Sequence, residues 1–389
     1  MRRGRIPTSA MVVLLAACAG VSPPQAPPPI AAPTLDDVSP AVLVERDWAV
    51  LPEPGPVVYD EILRSPLMRD PEFQREVQRW VVFWRTTGAR WFPEYLDRMQ
   101  RFSPTVDSAL ARRGLPPSLR YLPIIESGYS PKAVSRASAA GLWQFMAPTA
   151  TGYGMWVGPL LDERRNPFKS TEAAGDFLRT LREQFGSWFL ALAAYNSGPY
   201  RVQRTLDRYA PLAPMSDSLY WAIRPHLPRE TRDFVPKFIA AAAVAQNPTA
   251  HGFDVPADTL GFHFDEVVVP DATTLDVVAE AAESPQAEIE RLNPEVVRGI
   301  TPPGRRTTLR VPAGRGGAFG ENYAKIPPSE RVTFVEHKIV RGETLSHVAR
   351  RYGVPLRELQ AANPRVNPRR LQIGQRLTVP IAPRARPGS

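Results

Sequence analysis

The sequence is poor in several residue types, and each shortage excludes something. It holds a single cysteine, so no disulfide framework can close within the chain and no cysteine-based zinc cluster can form. It holds five histidines, at 226, 251, 263, 337 and 347, and none forms a His-x-x-x-His pair. No zinc-hydrolase pattern is therefore present, and no metal or cofactor is expected. Only five of the 48 basic residues are lysines. A codon bias toward arginine explains that excess as well as attraction to an anionic polymer does. The net charge is +9, yet no basic run is interleaved with aromatics, so no nucleic-acid partner is expected. Past the N-terminus no apolar run reaches the ~18 residues that a membrane-spanning helix needs.

What remains is a globular composition. The chain has 389 residues, of which 43% are hydrophobic and 22% charged. At roughly 100–200 residues per domain this predicts two or three domains. The 44 prolines concentrate in connecting segments, which helps to place the boundaries.

Arg2, Arg3 and Arg5 form a basic leader, and Ala10 to Ala17 is a short apolar stretch that runs into Leu15-Ala16-Ala17-Cys18. This resembles the bacterial lipobox. The resemblance implies a signal peptide over 1–17, removal of that leader, lipidation of Cys18, and a membrane hold through acyl chains at about 0.8 kcal/mol per buried methylene. Residue 19 is alanine rather than aspartate, which implies an outer-membrane lipoprotein facing the periplasm of a Gram-negative bacterium. An ordinary signal peptide with a coincidental cysteine is the alternative. Residues 18–56, with Pro23, Pro24, Pro27, Pro28, Pro29 and Pro33, read as an extended tether.

From 57 to 250 the pattern is helical. Phe73, Val77, Trp80, Val81 and Trp84 recur at helical spacing over 72–86. Ala173, Phe177, Leu178, Leu181 and Phe185 do so over 171–185, with Ser170 as the candidate N-cap and Gly186 as the stop. Residues 187–196 are apolar nearly all round, which predicts a central helix. No convincing alternating strand precedes residue 260.

After 260 a repeat appears. Thr274-Leu275, Val278-Ala279, Pro285, Glu288 and Asn293-Pro294 return 70 residues later as Thr344-Leu345, Val348-Ala349, Pro355, Glu358 and Asn363-Pro364. Each copy reads strand, helix, helix, strand and closes on Val-Pro. The expectation is two small α+β (βααβ) modules, at 262–313 and 335–381, with a Gly- and Pro-rich linker over 314–334. The second copy resembles a LysM module through Ile339-Val340-Arg341-Gly342-Glu343-Thr344-Leu345, Ala349, Tyr352-Gly353, Asn363-Pro364, Leu371 and Ile373-Gly374. The resemblance implies binding of peptidoglycan or chitin-like chains, with Gly342, Thr344, Leu345 and Ile373 as the contact positions; a spacer without affinity is the alternative. In the first copy Ala272 replaces the loop glycine and Thr273 the acidic residue, so it is expected to keep the fold, with sugar binding left open.

Glu126 closes the apolar segment Leu122-Pro123-Ile124-Ile125 and precedes Ser127-Gly128, as at a helix end. Desolvation there raises a carboxyl pKa toward the range of a general acid. Taken alone, such a glutamate reads as a solvated or paired residue. Two further segments change the weighting: Gly141-Leu142-Trp143-Gln144-Phe145-Met146, and Ala193-Ala194-Tyr195-Asn196-Ser197-Gly198-Pro199. Together with Leu227-Pro228-Arg229-Glu230-Thr231 they resemble the soluble lytic transglycosylase domain, and with the repeat they resemble the membrane-bound lytic murein transglycosylase D type.

That resemblance implies a multidomain chain whose mainly α catalytic domain, with a goose-lysozyme-like fold, covers 57–250 (core about 112–215) and is followed by the LysM-type modules. It makes Glu126 the single catalytic acid and base. It places Ser127, Gln144 and Asn196 along a glycan cleft, and it has Tyr195 hydrogen-bonded near the Glu126 carboxylate. Trp143 and Met146 read equally as core residues. Where the family often carries tyrosine, this chain has Phe234.

The implied chemistry follows from the count of carboxylates. Most glycosidases use two, about 5 Å apart when retaining and about 6.5–9.5 Å when inverting. The motifs supply one. The nearest partner in sequence, Asp162, sits beside Arg164 and Arg165 and reads as an ion pair or turn cap. A single carboxyl can instead protonate the linkage between N-acetylmuramic acid and N-acetylglucosamine and then take the C6 hydroxyl proton, which leaves a 1,6-anhydromuramoyl end. The partners expected are peptidoglycan strands and, through Cys18, a membrane. A hydrolytic muramidase, a non-catalytic wall-binding scaffold and a chitin-degrading enzyme are the rival readings.

Overall fold

The computed structural model describes residues 60–158, 160–254, 263–302, 304–332, 335–352, 355–363 and 366–379. The leader 1–17, Cys18 and the tether 18–56 lie outside the described residues.

The first unit is helical. Helix α1, Pro71–Arg85, starts where Asp70 accepts the backbone N–H groups of Glu72 and Phe73 and proline occupies the first turn. It buries Phe73, Val77, Trp80, Val81 and Trp84, as the spacing predicts. Helix α2 spans Phe92–Ala111, α3 Leu122–Ser127 and α4 Ala147–Gly152. Helix α5 is Pro167–Phe185 and ends on Gly186 in the left-handed conformation. Its N-cap is Asn166, not Ser170. Asn166 accepts from the N–H groups of Phe168 and Lys169, with Pro167 next in line, whereas the Ser170 hydroxyl bonds back to the Asn166 carbonyl one turn inside the helix.

Helix α6, Trp188–Ser197, is the centre of the unit. Every residue from Trp188 to Ala194 is buried. Helix α7, Pro199–Tyr209, α8, Asp217–Ile223, and α9, Arg229–Gln246, complete the unit. Helices α5, α7, α8 and α9 pack around α6, and α9 also packs along α1 and against α3.

Two βααβ modules follow. In the first, β1 (Phe264–Val269) pairs antiparallel with β2 (Thr307–Pro312), Val267 opposite Leu309, around α10 (Leu275–Ala281) and α11 (Gln286–Leu292). The stretch 314–334 is not a plain linker. Residues Gly316–Lys325 form α12, and its Phe319 and Tyr323 join the first module's apolar core. Glycine density suggested a break, but Phe319 and Tyr323 lie four apart and give one helical face something to bury. In the second module, β3 (Val335–Lys338) pairs antiparallel with β4 (Arg376–Val379) around α13 (Leu345–Tyr352) and α14 (Leu356–Ala362).

The repeated asparagine has the same task in both copies. The Asn293 side chain donates to the Ile289 and Arg310 carbonyls and accepts the Arg310 N–H. Asn363 donates to the Leu359 and Thr378 carbonyls and accepts the Thr378 N–H. Each asparagine thus pins the last strand of its module to the end of the second helix. Among the described residues, no helix is long and apolar enough to cross a membrane.

Candidate active site

Helix α3 buries Leu122, Pro123, Ile124, Ile125 and Ser127, which leaves Glu126 as its one partly exposed residue. The helix stops at Gly128, whose φ of 58° is left-handed and whose α-carbon faces the Tyr95 ring so closely that a Cβ would stand 2.3 Å from it. Glu126 is held by this stop at the rim of an apolar shell. Burial pushes its carboxyl up to about 8; the Lys237 ammonium opposes that rise, and the Glu230 carboxylate adds to it. Near neutral pH the group therefore carries its proton, the state a general acid requires.

Segment 138–146 lies against this helix. Gly141 has a φ of 83°, and a Cβ there would stand 1.7 Å from the Arg164 carbonyl oxygen, so no larger residue fits. Gln144 also has a positive φ, 48°, and its amide donates to the Gly141 carbonyl at 2.9 Å, so the side chain closes its own turn. It is half-buried there.

Ser127 does not line an open cleft. It is buried, and its hydroxyl donates to the Leu142 carbonyl at 2.7 Å, tying α3 to the 138–146 segment. Trp143 is fully buried and donates to the Thr171 hydroxyl, so it packs the core, whereas Met146 is 44% exposed.

Tyr195 and Asn196 stand at the end of α6. The Tyr195 hydroxyl donates to the Trp143 carbonyl at 2.6 Å. A phenol has one proton, so Tyr195 hydrogen-bonds beside the Glu126 carboxylate rather than to it. It remains close enough that burial, and then the Glu126 charge, drive its pKa well up. The Asn196 side chain accepts from the Thr231 hydroxyl at 2.8 Å and donates to Glu230 at 3.3 Å. The end of α6 is thereby fastened to the start of α9.

Asp162 is a structural residue. It caps the turn at 163–165 and grips Arg164 through both carboxylate oxygens, at 2.9 and 2.7 Å. The charges that Glu126 feels come from α9 instead. Glu230 is exposed, and Lys237 lies over the Trp80 ring at 5.5 Å, its own pKa lowered by burial. Sequence reasoning passed over both as functional groups; Glu230 lies in the segment Leu227-Pro228-Arg229-Glu230-Thr231, the one signal available. Phe234 is buried among the apolar residues of α9. Among the described residues, no group of three or more histidine, cysteine, aspartate or glutamate side chains is placed to hold a metal ion.

In the second module Gly342 has a φ of 84° and is exposed, as is Thr344, and Ile373 is 71% exposed. Leu345 is different. It is buried in the module core with Val348, Leu359 and Leu377, so it cannot be a contact position. The leucine opens α13 on its inward face, which its place in the motif does not reveal.

Three family models match the chain in order: Transglycosylase SLT domain over residues 105–213, Lytic transglycosylase MltD, LysM-like domain over 263–328, and LysM domain over 337–380. The chain resembles lytic murein transglycosylases of the D type. It is 28% identical over 297 residues to membrane-bound lytic murein transglycosylase D of Escherichia coli K12, across 72% of this chain and 64% of that protein. The chain thus spans less than two thirds of the length of that curated relative. It is 32% identical over 124 residues to membrane-bound lytic murein transglycosylase C of Glaesserella parasuis, across 28% of this chain and 34% of that one. Among solved structures, the 70 kDa soluble lytic transglycosylase of Escherichia coli aligns with 20% identity and a TM-score of 0.32, over 48% of this chain and 32% of that one.

Proposed function

We propose that the protein is a peptidoglycan lytic transglycosylase that cleaves the β-1,4 bond between N-acetylmuramic acid and N-acetylglucosamine. The observation that carries this reading is one carboxyl, Glu126, kept protonated near neutrality by its apolar surroundings at the junction of the three motif segments.

In the first step Glu126 gives its proton to the linking oxygen, the bond from that oxygen to C1 breaks, and the N-acetylglucosamine hydroxyl leaves. The substrate's own 2-acetamido group stabilises C1. In the second step the ionised Glu126 takes the proton of the C6 hydroxyl as that oxygen bonds to C1, which closes the 1,6-anhydro ring. No water is consumed, and Glu126 ends as it began. The Lys237 ammonium favours the ionised intermediate state, since it already pulls the Glu126 pKa down against desolvation. Acid–base transfer of this kind supplies about 10²–10⁴-fold, and binding of a long glycan must supply the rest. The exposed Gly342, Thr344 and Ile373 of the second module suit that task. Lipidation of Cys18 would hold the chain at the outer membrane facing the periplasm, in keeping with its membrane-bound relatives.

Hydrolysis is the second reading, and one observation favours it: the Glu230 carboxylate is near enough to act on Glu126. Mass analysis of fragments released from purified sacculi separates the two. Transglycosylation gives anhydro ends; hydrolysis gives reducing ends heavier by one water, and a purely reducing product would reject the proposal.

A further inference from the structure

We infer that the first βααβ module is a brace for the 138–146 segment of the active site, with Glu295 and Arg310 as positioning residues, rather than a second glycan-binding module. The inference rests on the proposed reaction only where turnover is the readout.

The module meets the helical unit along a bonded seam. Leu161 and Val296 form an antiparallel bridge. The Asp162 N–H donates to the Glu295 carbonyl at 2.9 Å, and the Val297 N–H to the Leu160 carbonyl at 2.9 Å. The Leu161 side chain lies within the module's own apolar core. Beside this backbone seam sits a buried charged layer. The side chains of Glu295 and Arg310 pair at 2% and 3% exposure. Asn166, the cap of α5, donates to the same Glu295 oxygen at 2.8 Å, and the Arg310 Nε donates to the Leu292 carbonyl at 2.7 Å. The Arg310 guanidinium also covers the Phe168 ring at 5.1 Å, and that ring meets Phe264 of β1 edge-on at 4.9 Å. A buried pair of this kind adds little net stability, but it is expensive to misalign.

Residues 160–166 also carry the active-site segment. Arg164, gripped by Asp162, donates to the Ser138 carbonyl at 2.7 Å and to the Phe145 carbonyl at 3.0 Å. Gly141 lies flat on the Arg164 carbonyl. That segment holds Gln144 and supplies the carbonyls to which Ser127 and Tyr195 donate. A continuous bonded path therefore runs from Glu295 to the residues that flank Glu126.

The module's own surface agrees. Thr273 and Thr274 are fully buried. The Thr273 hydroxyl meets the Tyr323 hydroxyl of α12 at 2.8 Å, and the Thr274 N–H donates to the Arg331 carbonyl. Their counterparts in the second module, Glu343 and Thr344, are half-buried and exposed.

The test uses the full chain with Glu295→Leu and Arg310→Met combined, so that no lone charge is left buried. Amide hydrogen exchange in 138–146 should quicken by about tenfold or more, since the segment loses its support. Fragment release at saturating sacculi should fall by about tenfold, while pelleting with sacculi stays unchanged. Glu295→Gln alone keeps an oxygen for Asn166 but leaves the Arg310 guanidinium buried without its counter-charge, so it should quicken exchange in 138–146 at least as much as the double variant does. Unchanged exchange overturns the inference, as does unchanged turnover in a chain whose wild type is active. If wild type releases no fragments, the proposed reaction fails while the exchange data still decide the brace. If the double variant does not fold, Phe264→Ala at the same seam is read in the same two ways, with a smaller change in the same direction expected.

Discussion

Replacing Glu126 by glutamine removes the ionisable proton and nearly preserves the side chain's size, so it isolates the electrostatic cost of this site. The carboxyl stands at about 8 in the folded chain against 4.5 as its ordinary value. Because the folded-state value is the higher one, Glu126's contribution to stability is intact below pH 4.5. It is lost progressively as the pH climbs toward 8 and is flat beyond. At about 1.4 kcal/mol per tenfold change, the full displacement is on the order of 4–5 kcal/mol, and partial solvent access at the rim reduces this to about 2 kcal/mol. Glutamine has no such dependence. Glu126→Gln should therefore match wild type at pH 4 and exceed it by about 2 kcal/mol at pH 9. Guanidinium unfolding at pH 4, 7 and 9 reads the difference directly. The same variant should still pellet with sacculi and release no fragments. A stability gap that does not change between pH 4 and pH 9 would refute the claim that desolvation governs this carboxyl.

Three further outcomes follow from the geometry. Wild-type fragment release should decline as the pH rises through about 8, because the donor then loses its proton before reaching the glycan; a profile rising through that range would contradict the assignment. Gly141→Ala forces a Cβ onto the Arg164 carbonyl at a left-handed φ, and should lower stability by roughly 3 kcal/mol in denaturant melts and abolish turnover. Ile373→Asp, on an exposed side chain, should leave the melting curve unchanged and weaken pelleting with sacculi about tenfold, with wild-type pelleting as the result that removes Ile373 from the glycan contact.

Much of this was readable from the sequence because it rests on local rules. The spacing of Phe73, Val77, Trp80, Val81 and Trp84 marks α1, and the all-apolar run before Tyr195 marks the central helix, since each pattern has one way to bury itself. Glu126 was legible only beside the segments at 141–146 and 193–199, since a glutamate that ends an apolar helical segment otherwise reads as solvated or paired. What failed was orientation. A motif places Ser127 and Leu345 at the site without saying which way they point, and both turn inward. Tyr195 was expected to hydrogen-bond near Glu126, and the motif does not name the acceptor, which is the Trp143 carbonyl. Glu230 and Lys237 were missed because α9 reaches Glu126 only through the tertiary fold. The 314–334 segment misled because its glycines outweighed Phe319 and Tyr323, whose partners lie in strands and helices formed earlier in the chain.

The asparagines that pin the closing strands have a chemical consequence of their own. In each module the next residue is a proline, Pro294 or Pro364. The usual ageing reaction of asparagine needs the following backbone nitrogen to carry a hydrogen, and proline has none to give. Asn293 and Asn363 are thus shielded from deamidation by their successor as well as by their burial.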